Sequence, residues 1–174
     1  MIRHLNIALF TSTALLAMLS VQAESVYQEP GDFIAASFAD QEPTQKVLWI
    51  TDAIRNDAQR LTGRKLKQLR IRYWQHDNRT AWILDTIGKD LPITTGVVVE
   101  SGAVKDIKVL VFRESRGWEV RYPFFTDQFS GAQLDQKRRL NKRIDNISGA
   151  TLSVNALKHQ ARLALLLAGY AETN

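Results

Sequence analysis

The fold is decided by the stretch Thr94-Thr95-Gly96-Val97-Val98-Val99-Glu100-Ser101-Gly102-Ala103-Val104-Lys105-Asp106-Ile107-Lys108-Val109-Leu110-Val111-Phe112. β-branched residues crowd both halves, and such side chains are favoured on a pleated surface. Ser101-Gly102 turns the chain between them. The halves 94–100 and 104–112 therefore read as antiparallel neighbours. Just upstream, Leu69, Ile71 and Tyr73 alternate with basic residues, Asp77-Asn78 marks a turn, and 80–84 returns as the second strand of a hairpin.

Working outward, Val47, Ile50, Ile54, Ala58 and Leu61 recur at three- and four-residue steps, which predicts an amphipathic helix over 44–61 closed by Gly63. Pro30-Gly31 marks a turn, and Phe33, Ile34 and Phe38 are expected to tuck a short helical turn onto the body. Downstream, 119–122 is expected to extend the sheet before Pro123, Phe124, Phe125 and Phe129 cluster near Gly131, and 132–142 is read as a helix or an ordered loop. The last helix is predicted over 153–168, with Val154, Leu157, Ala161, Leu165 and Ala168 on one face and Gly169 as its stop. The fold class is α+β: a small, largely antiparallel sheet flanked by helices in a single domain.

The chain has 174 residues, 45% hydrophobic and 24% charged, the balance of one globular domain. It contains no cysteine, which excludes disulfides, cysteine-ligated zinc, iron–sulfur clusters, c-type haem attachment and an acylated lipoprotein cysteine. His76 and His159 are read as surface residues with no partner at metal-ligand spacing, so no metal site is expected. No glycine-rich nucleotide loop or nucleophile elbow is present, and no residue is singled out as catalytic.

At the start, Arg3 and His4 precede an apolar run over 7–19, and Val21-Gln22-Ala23 offers small residues where a signal peptidase reads. Residues 1–23 are therefore expected to be a signal peptide, with the mature protein periplasmic. The alternative is an uncleaved anchor holding the protein on the outer face of the inner membrane. The formal net charge is +5. The excess gathers in Lys137-Arg138-Arg139 with Lys142-Arg143, and in Arg64, Lys65, Lys67, Arg70 and Arg72. Such clusters suit a solvated face, an acidic partner or a membrane surface of anionic lipid. Export argues against nucleic acid.

The chemistry is concentrated in Asp145-Asn146-Ile147-Ser148-Gly149-Ala150-Thr151-Leu152-Ser153. Its small residues allow close backbone approach to a bulky group, and they stand before a helix whose N-terminal N–H groups and dipole suit a phosphate. Thr151 puts a hydroxyl there, Ser148 and Ser153 add donors, and Ser153 is expected to be the N-cap. From the residues alone, an anion site and a plain helix cap both remain open.

The pattern Asp145-x-x-Ser148-Gly149-Ala150-Thr151-x-Ser153 resembles the flavinylation motif of the FMN-binding domain family. That family includes the C subunit of the sodium-pumping NADH:quinone reductase and the G subunit of the Rnf complex. The similarity covers 94–174, through Gly102, 104–112, Glu114 with Gly117, and 125–131. The stretch before Thr94 does not resemble those large subunits; it is more like the small exported members. The resemblance implies FMN joined covalently through a phosphoester to Thr151, with Ser148, Gly149, Ala150, Leu152 and Ser153 around it. It assigns Asp145 to recognition by a flavin transferase. Glu114, Arg116, Gly117 and Trp118 form a loop able to reach the cofactor, and Arg116 or Arg121 are candidates to pair with its phosphate. Phe125 and Phe129 suit either a flavin stack or the core. Residues 24–93 then form an N-terminal helix and hairpin segment of the domain. The implied function is electron transfer with a membrane or periplasmic redox partner, as a carrier or subunit rather than a stand-alone enzyme. The alternative is a module that binds FMN or another ligand non-covalently without redox activity of its own.

Overall fold

The computed structural model describes residues 24–39 and 41–173; the segment expected to direct export lies outside the described residues. The elements run β1 (Ser25–Val26), α1 (Pro30–Phe38), β2 (Thr44–Trp49), α2 (Asp52–Thr62), β3 (Arg70–His76), β4 (Arg79–Ile87), β5 (Pro92–Glu100), β6 (Ala103–Phe112), α3 (Pro123–Thr126) and α4 (Thr151–Glu172). All six strands join one antiparallel sheet in the spatial order β1-β6-β5-β4-β3-β2. The architecture is the small α+β single domain that the hairpin signals imply, and the sheet runs through positions 93 and 94 without a break. No helix among the described residues is long and apolar enough to cross a membrane.

Each sheet face buries a different helix set. Alternate residues Ile93, Val97 and Val99 of β5 face α2 and α4, where Trp82 stacks on Tyr73 with ring centroids 4.6 Å apart. The other face receives Phe33, Ile34 and Phe38 of α1 against Ala81, Val98 and Leu110. Phe33 lies on Gly96, where a Cβ would overlap its ring, so any larger residue there displaces α1. Along β6 the two-residue alternation breaks, because Lys105 and Leu110 are extra residues opposite β5. Val109 and Phe112 consequently face α4, while Leu110 and Val111 face α1.

Several expectations are corrected. The first half of the stretch read as a helix over 44–61 is β2, paired with β3 from Thr44↔Gln75 to Trp49↔Arg70. The helix begins only at Asp52, where Thr51 Oγ1 accepts from Ile54 N at 3.3 Å as a true N-cap. Residues 118–121 coil into a 3-10 turn instead of extending the sheet, because Gly117 turns the chain at φ 84°. The 132–142 segment is an ordered loop with one bridge, Leu134↔Leu140. Gly169 does not stop α4, which continues to Glu172 and buries Ala171. His159 is half-buried rather than superficial; burial, then Arg64 and Arg162, hold its imidazole below the ordinary range.

α4, roughly 33 Å long at 1.5 Å per residue, is pinned near its end by Asp57 of α2. Asp57 accepts from Arg60 and from Tyr170 Oη at 2.9 Å, and Arg138 lies 2.9 Å away as an ion pair. The Arg60 guanidinium foremost, against the opposing effect of burial, and then the Tyr170 hydroxyl and Arg138, hold the Asp57 carboxyl down to about 2. A carboxyl depressed by folding stabilises the fold above its ordinary value of 3.8, and that contribution fades as pH falls toward 2. Replacing Asp57 by Asn should cost about 2 kcal/mol at neutral pH. In urea melts the gap between wild type and variant should shrink between pH 4 and pH 2; a gap independent of pH would show that the charge of Asp57 contributes nothing.

Candidate functional site

The motif segment 145–150 ends in a tight turn that feeds α4. Ala150 N donates to Ile147 O at 3.0 Å, and Gly149 between them has φ 81°, a conformation that L side chains rarely adopt. α4 then starts at Thr151, two residues before the expected start, so Ser153 is not the N-cap. Ala150 holds that position and makes no side-chain capping bond, and the first turn contains no acidic residue. The N–H groups of this turn therefore face outward with no intrahelical acceptor, at the positive end of the dipole.

Thr151 is exposed, and its Oγ1 accepts from Asn146 Nδ2 at 3.0 Å. Ser153 is buried against the loop 113–117, and there Gly117 is obligatory. A Cβ on Gly117 would overlap Ser153 Oγ and crowd the Ala150 side chain at 3.4 Å, and its φ of 84° strains any other residue. The helix start and the loop after β6 thus approach backbone to side chain.

Glu114 holds the third wall. Its Oε1 accepts from the backbone N–H of Lys89 at 2.6 Å, Asp90 at 2.7 Å and Leu91 at 2.9 Å, tying the β4–β5 turn to the loop after β6. The three walls enclose an open cleft of about 570 Å³ lined by 149–153, Glu114, Ser115, Arg116 and Lys89. Arg116 is exposed and has no ion-pair partner among the described residues. The cleft thus brings Arg116, Lys89 (paired with Asp90 at 3.3 Å), N–H groups of the first helical turn and the exposed Thr151 hydroxyl to one point, an arrangement that can neutralise a phosphate.

The sequence-predicted residues separate into groups. Gly149, Ala150, Thr151, Leu152, Ser153, Glu114 and Arg116 line the cleft; Gly117 backs it. Glu114 reaches it as a loop anchor, its carboxylate engaged by backbone. Ser148 and Asp145 are exposed just outside, with Asp145 paired to Arg143 Nε at 3.0 Å and its N–H bonded to Gln128. Trp118 is 41% exposed, edge-on to Tyr122, and Arg121 packs on the rings of Tyr27, Tyr122 and Trp118, away from the lining. Phe125 and Phe129 belong to the core, edge to face at 5.5 Å. Sequence reasoning missed Lys89 and Ser115; the one available signal was the Gly88 to Pro92 turn, whose Gly88 lies so close to Glu114 that a Cβ would meet its Oε1 at 2.9 Å.

Residues 88–166 match the model of the FMN-binding domain family. That span takes in both loops of the cleft and the start of α4. Among curated proteins none matches the chain.

Glu114→Ala should leave three backbone donors of the β4–β5 turn without their acceptor and cost about 1–3 kcal/mol. Amide hydrogen exchange should accelerate selectively at residues 89–91. Exchange there at the wild-type rate would remove Glu114 from its anchoring role.

Proposed function

Because residues 88–166 form an FMN-binding domain, we propose that this chain is an exported flavoprotein that carries FMN as a phosphoester on Thr151 and passes electrons between a membrane donor and an acceptor outside the cytoplasmic membrane. The observation that carries this reading is the hydroxyl of Thr151, exposed at an uncapped helix N-terminus and opening on a cleft with Arg116 and Lys89. The family motif around it, the apolar leader over 7–19 and the absence of cysteine agree with an exported carrier whose cofactor is not a metal cluster.

Each residue has a defined task. Thr151 provides the attachment oxygen. The N–H groups of the first turn of α4 and the guanidinium of Arg116 take up the phosphate charge. Glu114 keeps the turn bearing Lys89 against the cleft, and Gly117 lets the loop lie on Ala150 and Ser153. Asp145 and Ser148, exposed beside the threonine, remain accessible to a maturing transferase. When bound, the flavin supplies the redox chemistry, taking up and giving away electrons at its ring system. Covalent attachment prevents loss of the cofactor by dissociation into dilute surroundings.

Attachment requires an activated donor, since joining a free phosphate to a hydroxyl in water is unfavourable. With a flavin dinucleotide, flavin mononucleotide joined by a phosphoanhydride to a nucleoside monophosphate, as co-substrate of the transferase, Thr151 Oγ1 would attack the flavin-side phosphorus. The Oγ1–P bond forms, the anhydride P–O bond breaks, the nucleoside monophosphate leaves, and the hydroxyl proton passes to a base of the transferase. No electrons change hands in this step.

Thr151→Ala removes one exposed hydrogen bond, so it should change stability by no more than about 1 kcal/mol. Intact mass of the protein matured with a flavin transferase should exceed the polypeptide by one esterified FMN, and the substitution should abolish both that increment and the yellow colour. Flavin retained on the folded Thr151→Ala protein and released by denaturation would favour non-covalent binding in the same cleft.

A further inference from the structure

The antiparallel register collects a second set of features at one end of the sheet. β2 ends at Trp49 opposite Arg70 where β3 begins, β4 ends at Ile87 opposite Pro92, and β6 ends at Phe112 opposite Ser25. This is also the end that carries the β4–β5 turn and the cofactor cleft. Trp49 is 63% exposed and Leu69 73% exposed, adjoining residues on neighbouring chain segments that share the bond from Ile50 N to Leu69 O. Ile87 is also exposed.

Around these apolar side chains stand Arg64, Lys65, Lys67, Arg70 and Arg72, all exposed. None of the five is in an ion pair among the described residues; Arg64 donates to Thr86 and to Ile87 O, and Arg70 lies over the Trp49 ring at 5.8 Å. The one carboxylate in the adjoining grooves, Asp85, accepts from Thr94 Oγ1 at 2.5 Å and makes no ion pair with the five cations, so it offsets one charge of five. The other basic cluster differs: Arg138 is paired with Asp57, Arg139 with Asp135 and Arg143 with Asp145. The 64–72 cluster therefore presents five cations outside any ion pair beside an exposed tryptophan and leucine, whereas three of the five in 137–143 are paired and only Lys137 and Lys142 are not. An indole with an apolar body and a polar N–H, set among unpaired cations, is the combination that partitions to the headgroup layer of an anionic bilayer.

We propose that this end of the sheet is a docking surface for an anionic lipid membrane, with Trp49 and Leu69 entering the headgroup region and Arg64, Lys65, Lys67, Arg70 and Arg72 binding lipid phosphates. Glu24, held by Arg113 at 2.5 Å, brings the chain into the fold at this same end. A groove beside this patch has Leu66, Ile87, Pro92 and Leu163 in its walls together with Arg64, Lys65 and Lys67. Docking in this way sets the cleft beside the membrane, where a membrane donor reaches it. The surface does not depend on the flavin.

The test is vesicle flotation of the protein from Glu24 onward, which contains every element of the described fold, with and without attached flavin. Co-flotation is expected with phosphatidylglycerol–phosphatidylcholine vesicles, falling steeply as salt is added and absent with phosphatidylcholine alone. Lys65→Glu/Lys67→Glu should weaken it about tenfold or more, and Trp49→Ser should weaken it further, with circular dichroism unchanged in both. Lys137→Glu/Lys142→Glu, an equal change of net charge, should leave it intact. Thr151→Ala protein should float like the flavinylated form, so the loss of flavin and the loss of lipid binding are separate results. The proposal is overturned by no flotation, by equal flotation with neutral vesicles, or by equal sensitivity to the two double substitutions.

Discussion

Midway along α4, the buried amide nitrogen of Gln160 is shared between the carbonyl oxygens of Leu84 at 2.8 Å and Ile93 at 3.0 Å. A helix laid on a sheet by Ala and Leu contacts alone has neighbouring registers of similar apolar burial, one turn or about 5.4 Å apart. A buried amide removes that freedom. Sliding α4 leaves a donor and two carbonyls unpaired away from water, at about 1–3 kcal/mol for each orphaned group. Tyr170, anchored to Asp57 near the far end, fixes the same helix from α2. The start of α4, and Thr151 with it, is therefore held opposite the turn between β4 and β5.

From that register the cleft follows with few degrees of freedom. The loop after β6 meets the helix start where Gly117 has no side chain, and the Glu114 carboxylate ties the β4–β5 turn to it through three N–H groups. The result is a site made mostly of backbone, small residues and two long cations. Such a site suits a phosphate, since its donors are fixed before any ligand arrives, and its cleft is open to solvent. An open cleft agrees with the proposed electron carrier, whose partners would approach one redox group in turn.

The sequence displayed the sheet where local chemistry and tertiary packing agree. Valine-rich 94–100, the Ser101-Gly102 turn and the hairpin at Asp77-Asn78 all state the pairing that the structure has. β2 was hidden because Val47, Ile50 and Ile54 fall at helical spacing across a strand, a break at Thr51 and a helix; the strand is legible only once β3 is its partner. The two extra residues of β6 erase its alternation in the same way. At the site, the motif announced Thr151, but Ser153 was mistaken for a cap, because its burial depends on Gly117, thirty-six positions away. Lys89 and Ser115 had no signal beyond the Gly88 to Pro92 turn, since they reach the cleft from separate loops that Glu114 and Arg113 tie together. Gly169 punctuates the pattern without ending the helix, because Tyr170 and Ala171 gain contacts that outweigh a glycine cost of about 1 kcal/mol.

Two basic clusters of similar composition show why charge runs cannot be interpreted from sequence alone. Along 137–143 the three arginines meet Asp57, Asp135 and Asp145, so that cluster stitches the long loop to α2 and to itself. Along 64–72 no ion pair forms, and the charges stay available at an exposed end that also bears Trp49 and Leu69. The distinction arises from topology: the antiparallel sheet brings the ends of β2 and β4 and the starts of β3 and β5 to one edge, and its acids there are spent on backbone and hydroxyl partners. Glu114 serves the turn and Asp85 serves Thr94. Because the same edge carries the cleft, the strand register that shapes the cleft also sets which surface around it is left positive. Position of the cleft and placement of the exposed cations are thus two consequences of one strand register.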